Sequence, residues 1–136
     1  MIIESAGLVV LHKQKILLVK PQGSNQNEFF SIPKGIIERS ESAIDTAVRE
    51  TYEETGVLIS KEFINKQKMY IINYVNKSIV TKKVYYFFAD ISNMEMEEVL
   101  PIKTLQKSEI QYAAFFTKEE AKAIIFWRQE PILFQF

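Results

Sequence analysis

The stretch GIIERSESAIDTAVRETYEETGV, residues 35–57, decides the fold because it carries the start and stop signals of one amphipathic helix. Ser42, with Asp45 three residues later, resembles a capping box at a helix start. Gly56 stands just past the last periodic residue, where glycine commonly ends a helix. The stretch therefore predicts a helix from about Ser42 to Thr55.

The predicted helix has two distinct faces at 3.6 residues per turn. One face is expected to pack on a sheet, and it is formed by Ile44, Val48, Thr51 and Thr55. The second face carries Glu50, Glu53 and Glu54, whose i, i+3 and i+4 spacing brings their carboxylates together. The helix therefore combines a packing stripe with an acidic cluster.

The acidic cluster needs a compensating charge. Like charges at i,i+4 destabilise an isolated helix by roughly 0.2–0.5 kcal/mol. Mg²⁺ prefers carboxylate oxygens, keeps several waters and bridges to substrate phosphates. Arg49, beside Glu50, could orient a glutamate or contact phosphate through its planar guanidinium. Because solvated faces with several glutamates are common, this cluster alone leaves an ordinary exposed helix face open.

The whole pattern resembles the Nudix hydrolase family, whose box has Gly, Glu, Arg-Glu, Glu-Glu and Gly at these separations. The matching residues here are Gly35, Glu41, Arg49, Glu50, Glu53, Glu54 and Gly56. Thr51 departs from the family, which usually has an aliphatic residue there, but its methyl group can still pack. The resemblance implies a Mg²⁺- or Mn²⁺-dependent hydrolase (pyrophosphohydrolase) of a phosphoanhydride bond in a nucleoside diphosphate linked to another moiety.

The resemblance also implies roles for individual residues. Metal ligands would be Glu50, Glu53, Glu54 and the Gly35 carbonyl. The catalytic group would include Arg49 as an orienting partner and Glu50 and Glu53, with Glu53 one candidate for the base. Glu41 lies near the helix start, where negative charge suits the dipole, and we assign it a supporting role.

The segment before the box, residues 30–35, carries a second resemblance. Its Phe-Ser-Ile-Pro-Lys-Gly sequence looks like the lead-in of diadenosine polyphosphate, diphosphoinositol polyphosphate and RNA pyrophosphohydrolases. Lys34 would then contact phosphate. The alternative is a solvated lysine in a turn.

A lysine-led aromatic run, KKVYYFFA at residues 82–89, resembles a strand of the dinucleoside polyphosphate branch. Lys82 or Lys83 would meet the polyphosphate, and Tyr86 could stack on a base. Core packing is the alternative for the aromatics, because strands are commonly filled with them.

Glu109 lies in a segment similar to one where several relatives carry a glutamate outside the box. It is a candidate for a further metal ligand or for the base that accepts the proton of the attacking water. A surface loop residue is the equal alternative. His12, the only histidine, falls in a predicted turn, and we expect it to be exposed and without a catalytic role.

The rest of the chain predicts strands before and after the helix and a second helix near the end. Strands are expected at residues 2–11, 15–20, 29–32, 63–75, 78–90 and 109–116, with hairpin turns at 12–14 and Asn76-Lys77. Pro33-Lys34-Gly35 should break regular structure, and Thr117 with Glu120 should cap a helix to about Gln129. This order indicates an α+β fold, an α/β/α sandwich with a mixed sheet.

Composition excludes several classes of protein. The 136 residues fit one domain, residues 1–136. With 17 basic and 17 acidic residues, the net charge gives no general attraction to nucleic acid or membrane, so we expect neither DNA nor membrane as a partner. The absence of cysteine rules out thiolate sites and disulfides and fits a cytoplasmic protein.

The expected substrate is a small nucleotide, and the expected protein is a monomer or homodimer. The lead-in and the lysine-aromatic run favour a dinucleoside polyphosphate such as diadenosine tetraphosphate. A nucleoside triphosphate, capped or 5′-triphosphorylated RNA, diphosphoinositol and a nucleotide sugar remain open. The remaining alternatives are a Nudix-like nucleotide-binding module without catalysis and an interaction scaffold without a ligand.

Overall fold

A mixed sheet forms the centre of the molecule in the computed structural model, which describes residues 1–21, 29–95 and 110–136. Its strands are β1 (Ile3–His12), β2 (Lys15–Pro21), β3 (Lys34–Ile36), β4 (Ile64–Asn76), β5 (Ile79–Asp90) and β6 (Ile110–Phe116). They are ordered β4-β5-β1-β2-β6, with β3 paired to β1 off this path. The β1–β5 pair is parallel and the other pairs are antiparallel, which confirms the expected mixed sheet.

Helices cover both faces of this sheet. Helix α1 (Ala43–Thr55) packs with one buried apolar cluster, which includes Leu8 and Phe87. Helix α2 (Lys118–Ile124) and the C-terminal 3-10 segment (Trp127–Phe134) pack with the other, which includes Val9 and Phe88. A short 3-10 turn (Lys61–Phe63) precedes β4. The layered α+β sandwich is therefore confirmed.

None of the helices in the described ranges has both the length and the apolar character needed to cross a bilayer.

Both hairpins turn through residues with left-handed backbone. Lys13 and Gln14 have φ of 48° and 69°, and Lys77 and Ser78 have φ of 51° and 66°. Two consecutive positive φ values are typical of type I′ turns, whose twist matches the flanking strands. The second turn therefore lies one residue later than the expected Asn76-Lys77.

Helix α1 begins and ends where its sequence signals predict. The Ser42 side chain accepts a 3.0 Å hydrogen bond from the Asp45 backbone N–H. Gly56 adopts the left-handed conformation, and its N–H donates to the Tyr52 carbonyl. Thr51 and Thr55 are fully buried, as expected for the packing stripe.

Strand β3 replaces the expected break at Pro33-Lys34-Gly35. Lys34 and Gly35 pair with Gly7 and Ala6 of β1. A Cβ at Gly7 would lie only 2.7 Å from the Pro33 carbonyl oxygen, so a glycine here permits the close approach of the two chains. The segment that leads into α1 is therefore fixed to the sheet.

Helix α2 is shorter than predicted. Its capping box is present, because Thr117 and Glu120 exchange hydrogen bonds, but the helix ends at Ile124 rather than near Gln129. Ile125 is extended and forms a bridge with Phe30. Pairing with a distant segment thus outweighs the local helix preference of residues 125–129.

His12 is buried, contrary to the prediction of an exposed turn residue. It ends β1, is only 4% exposed, and its Nε2 lies 2.7 Å from the Met94 carbonyl oxygen. It therefore has a structural role, fastening the β1–β2 hairpin to the segment after β5.

Several expectations fall partly or wholly outside the described residues. These are Glu109, as a candidate ligand or base, and the first residue of the expected strand 109–116. The expected strand at 29–32 is reduced to single bridges, Phe30 to Ile125 and Ser31 to Val19.

The two buried threonines of α1 give a matched test of packing. The Thr51 hydroxyl has no hydrogen-bond partner in the described part of the chain. The Thr55 hydroxyl donates to the Thr51 carbonyl at 2.7 Å and accepts from the Val57 N–H at 3.1 Å. Thr51→Val should raise the free energy of unfolding by about 1 kcal/mol, and Thr55→Val should lower it by about 1–2 kcal/mol. Urea unfolding, followed by circular dichroism, measures both changes. An equal loss of unfolding free energy in the two variants would contradict the different hydrogen bonding of the Thr51 and Thr55 hydroxyls.

Candidate active site

Arg49 is the hub of the polar network on α1. Its Nε and Nη2 donate to the two carboxylate oxygens of Glu41 at 2.7 and 3.0 Å. Its Nη1 donates to Glu50 and to Glu53, each at 3.1 Å. One guanidinium therefore fixes three carboxylates.

Glu41 anchors this arginine from the start of the helix. Its carboxylate also accepts from the Thr46 hydroxyl at 2.6 Å and from the Glu38 N–H at 3.2 Å. The hydrogen bond from Arg49, with these further donors, lowers the pKa of Glu41 to about 2. Glu41 thus stays charged and holds the guanidinium, as its expected supporting role requires.

Glu50 and Glu54 are forced together one turn apart. Burial, followed by the charge and hydrogen bond of Glu50, raises the pKa of Glu54 to about 9. Burial also raises the pKa of Glu50, although Arg49 opposes this effect. A buried carboxylate in contact with a partly buried one makes it costly for both to be charged unless a cation joins them.

Strand β3 closes the other side of this pair. A Cβ on Gly35 would collide with the Glu50 carboxylate, so the missing side chain leaves the room that this carboxylate occupies. The Glu54 carboxylate accepts a hydrogen bond from the Lys34 backbone N–H. The pairing of β3 with β1 therefore sets where the buried carboxylates sit.

These residues fit a hard divalent cation. The donors are carboxylate oxygens, which are the preferred ligands of Mg²⁺. A bound cation would also reduce the repulsion between the Glu50 and Glu54 carboxylates. Within the described ranges, no three acidic or histidine side chains already form a coordination shell. Glu53 is held instead through Arg49 Nη1, so a cation bound by all three glutamates would require that ion pair to adjust.

Lys34 is a partly buried cation beside the acidic pair. Burial and the nearby charge of Lys82 lower the pKa of Lys34, while Glu54 and Glu50 act in the opposite direction. Lys82 lies with its Nζ 5.1 Å from the centre of the Tyr74 ring. Lys83 follows Lys82 in β5 and therefore points to the opposite face of the sheet. Of the two candidate lysines, Lys82 is the one whose charge lowers the pKa of Lys34.

Tyr86 is a core residue, so its expected stacking on a base is wrong. Its side chain is 0% exposed, and its hydroxyl accepts a 2.9 Å hydrogen bond from Gln129. The ring has no face open to a ligand in this structure. The alternative of core packing is the correct one for Tyr86.

Two residues near Lys82 were not singled out by the sequence. Tyr74 pairs with Lys82 across β4 and β5, and the alternation of Tyr70, Ile72 and Tyr74 was the available signal. Arg128 lies with its guanidinium carbon 4.4 Å from the centre of the Tyr74 ring. The sequence predicted one continuous helix up to about Gln129. No local pattern therefore indicated that Arg128 would lie beside Tyr74.

Comparison with known proteins gives a consistent result. The family model described as NUDIX domain matches residues 1–136. The chain is 28% identical over 105 residues to the bis(5′-nucleosyl)-tetraphosphatase [asymmetrical] of Rattus norvegicus, covering 71% of each chain. It is 30% identical over 120 residues to mRNA decapping complex subunit 2 of Schizosaccharomyces pombe, covering 80% of this chain but only 16% of that protein.

Among solved structures, the fold is similar to that of a C. elegans Ap4A hydrolase binary complex. The TM-score is 0.75 at 24% identity, covering 98% of this chain and 94% of the other. At this identity the match shows the shared fold.

The Glu54 environment predicts a pH-dependent stability in metal-free buffer. A carboxyl whose pKa is higher in the folded than in the unfolded chain adds stability below the unfolded value, and this stability is lost as pH rises through the folded value. The unfolded value is about 4.3 and the folded value about 9. Wild-type protein in EDTA should therefore lose stability between about pH 5 and pH 9.

Glu54→Gln should remove most of this pH dependence and exceed wild type by at least about 1 kcal/mol at pH 8 in EDTA. Added Mg²⁺ should then stabilise the wild type more than the variant. Thermal unfolding across pH measures both effects, with the exposed Glu62→Gln as control. A wild-type stability that stays flat from pH 5 to pH 9 would show that Glu54 is charged without a cation.

Proposed function

The chain belongs to the Nudix family and is a hydrolase of phosphoanhydride bonds, and on that premise we propose that it cleaves dinucleoside polyphosphates such as diadenosine tetraphosphate. The observation that carries this proposal is the contact of the buried Glu54 with the partly buried Glu50, beside Lys34. An acidic pair that needs a cation, next to a lysine suited to phosphate, is the arrangement that a polyphosphate chain with bound Mg²⁺ would complement.

Glu50, Glu53 and Glu54, with the Gly35 carbonyl, would hold the Mg²⁺ or Mn²⁺. When bound, the cation neutralises phosphate charge and makes water a better nucleophile. Arg49 keeps Glu50 and Glu53 in place through its Nη1 hydrogen bonds. Lys34 and Lys82 would add positive charge along the phosphates, which matters because phosphoryl transfer depends mainly on positioning and charge stabilisation.

Glu53 is the described residue proposed to accept the proton of the attacking water. It lies one helical turn from Glu50 and is 31% exposed at its side chain, so solvent can reach it. Glu109 remains the second candidate, and it lies outside the described residues. Cleavage adds one water across one phosphoanhydride bond, so diadenosine tetraphosphate would give either ATP and AMP or two ADP.

The similarity to a bis(5′-nucleosyl)-tetraphosphatase described as asymmetrical favours ATP and AMP as the products. Two separated basic groups, Lys34 and Lys82, also suit a chain of phosphates better than a single diphosphate. The net charge of zero provides no broad surface for an RNA body. These points together favour a small dinucleotide substrate.

The similarity to a decapping subunit supports one alternative, hydrolysis at an RNA 5′ end. A nucleoside triphosphate is the other open substrate. Both would use the same acidic site, so the alternatives differ in what is bound rather than in the chemistry.

Glu53→Gln should lower kcat on diadenosine tetraphosphate by about 10²–10⁴-fold, because removing a positioned base costs this much. The fold should survive, since a glutamine side chain has nearly the same shape as the glutamate that it replaces. Steady-state kinetics with circular dichroism tests this, and Glu62→Gln is the matched control. Full turnover by the variant would rule out Glu53 as ligand or base.

Product analysis tests the substrate proposal. Diadenosine tetraphosphate, ATP, a nucleotide sugar, capped RNA and 5′-triphosphorylated RNA are incubated with Mg²⁺ and separated by chromatography. We expect diadenosine tetraphosphate to be turned over fastest, with AMP and ATP released and no reaction in EDTA. Faster release of a nucleoside diphosphate from capped RNA would favour decapping, and equal feeble turnover of all would overturn the ranking.

A further inference from the structure

Gln129 joins the lead-in segment before β3 to the core of the sheet. Its Oε1 accepts a 2.9 Å hydrogen bond from the Ile32 N–H, and its Nε2 donates to the Tyr86 hydroxyl at 2.9 Å. All three residues are 0% exposed. Because bulk water cannot take the place of either bond, both groups depend on this one amide side chain.

The Ile32 N–H lies between two backbone contacts of the lead-in segment. On one side, Ser31 exchanges two hydrogen bonds with Val19 of β2, at 2.7 and 2.8 Å. On the other side, the Pro33 carbonyl accepts a hydrogen bond from a β1 N–H at 3.2 Å. Between these contacts the Ile32 N–H has a side chain as its partner. Gln129 therefore holds the chain at the point where it passes from β2 to β1.

The Tyr86 ring packs where β3 lies against β1. A Cβ added to Gly7 would be 3.2 Å from Cδ1 of this ring, 2.9 Å from the Lys34 Cβ and 2.7 Å from the Pro33 carbonyl oxygen. The ring, the lead-in segment and β3 therefore crowd around one point of β1. Since Gln129 binds both the hydroxyl of that ring and the lead-in backbone, one side chain fixes both.

The backbone reaches the acidic pair only two residues after Ile32. The Lys34 N–H donates a hydrogen bond to the Glu54 carboxylate, and Gly35 lies against the Glu50 carboxylate. Each residue has only two soft backbone dihedral angles, and the intervening proline has one of them fixed. A displacement of Ile32 is therefore passed on to the part of β3 that contacts both glutamates.

We propose that Gln129 is a positioning residue for the hydrolytic reaction. By holding the lead-in segment and the Tyr86 ring, it sets where β3 meets the acidic pair, and so how well the site binds Mg²⁺. Both ends of its amide are bonded to protein, so Gln129 acts through β3 and not on the substrate. This inference rests on the proposed function and deepens it, because it assigns part of the metal-binding machinery to the C-terminal 3-10 segment.

Three kinds of variant separate positioning from general stability. Gln129→Met keeps the length of the side chain but leaves the Ile32 N–H and the Tyr86 hydroxyl without a partner, which is costly for buried groups. Tyr86→Phe removes only the hydroxyl and keeps the bond to Ile32. Ile132→Val and Ile132→Ala shorten another fully buried side chain of the same 3-10 segment. The Ile132 variant whose Tm lies closer to that of Gln129→Met serves as the matched control.

Amide hydrogen exchange, measured by NMR in EDTA, reports on the lead-in segment without metal or turnover. In Gln129→Met, the Ile32 and Lys34 amides should exchange at least tenfold faster than in the matched Ile132 control. The Thr46 amide, which donates to the Ser42 carbonyl at the start of α1, should exchange at the same rate in both. The local difference would then come from the lost Gln129 bonds and not from lower global stability.

Magnesium binding and kinetics provide the second measurement. Calorimetric titration of Gln129→Met with Mg²⁺ should give a Kd at least fivefold above that of wild type. The kcat/KM for diadenosine tetraphosphate should fall at least tenfold, and part of the loss in kcat should be recovered at high Mg²⁺. Tyr86→Phe should lie between wild type and Gln129→Met, while the matched Ile132 control should behave as wild type.

The outcomes separate this inference from the proposed function. Faster exchange at Ile32 and Lys34 together with weaker Mg²⁺ binding supports the positioning role whichever nucleotide is hydrolysed. A Mg²⁺ affinity of Gln129→Met equal to that of the Ile132 control overturns it, even with faster exchange, and leaves the proposed function standing. If Gln129→Met does not fold, Tyr86→Phe is judged by the same two criteria. A wild-type protein that binds no Mg²⁺ would overturn both proposals.

Discussion

The ion pairs of Arg49 hold together a helix that its own charges would otherwise oppose. Glu50 and Glu53 both accept hydrogen bonds from Arg49 Nη1, and Glu41 accepts hydrogen bonds from Nε and Nη2 of the same guanidinium. Without this cation, several carboxylates would repel one another along one face of α1. Arg49 pairs with Glu50 but is not among the groups that act on Glu54. The remaining electrostatic cost is therefore concentrated where Glu54 meets Glu50, beside Gly35.

Strand β3 is where the two halves of the site meet. Its pairing with β1 places Gly35 against Glu50 on the α1 side. The preceding residue, Lys34, alternates to the other face of the strand and is affected by Lys82. The acidic pair and Lys34 therefore meet at this short strand.

The sequence was a good guide wherever a feature depends on neighbouring residues. The Ser42 cap, the Gly56 stop and the threonine stripe of α1 were predictable because capping and helical periodicity are local. The family pattern gave the acidic residues for the same reason. Tyr86, His12 and the end of α2 were predicted wrongly because each depends on a distant partner: Gln129, Met94 and Phe30 respectively. Arg128 could not be found from the sequence because its position depends on that same tertiary pairing.

Residues positioned by local sequence and residues positioned by distant contacts are also expected to contribute differently to the enzyme. Helix α1 carries the acidic groups on a rigid element fixed by local capping, so the same helix can serve any phosphoanhydride. Other side chains are brought together by long-range contacts, such as Tyr74 of β4 and Arg128 of the C-terminal segment. Because these contacts do not contribute to the acidic pair, they can change without loss of the hydrolytic centre. Substrate range should therefore be set mainly by residues outside the box, where sequence patterns give the least information.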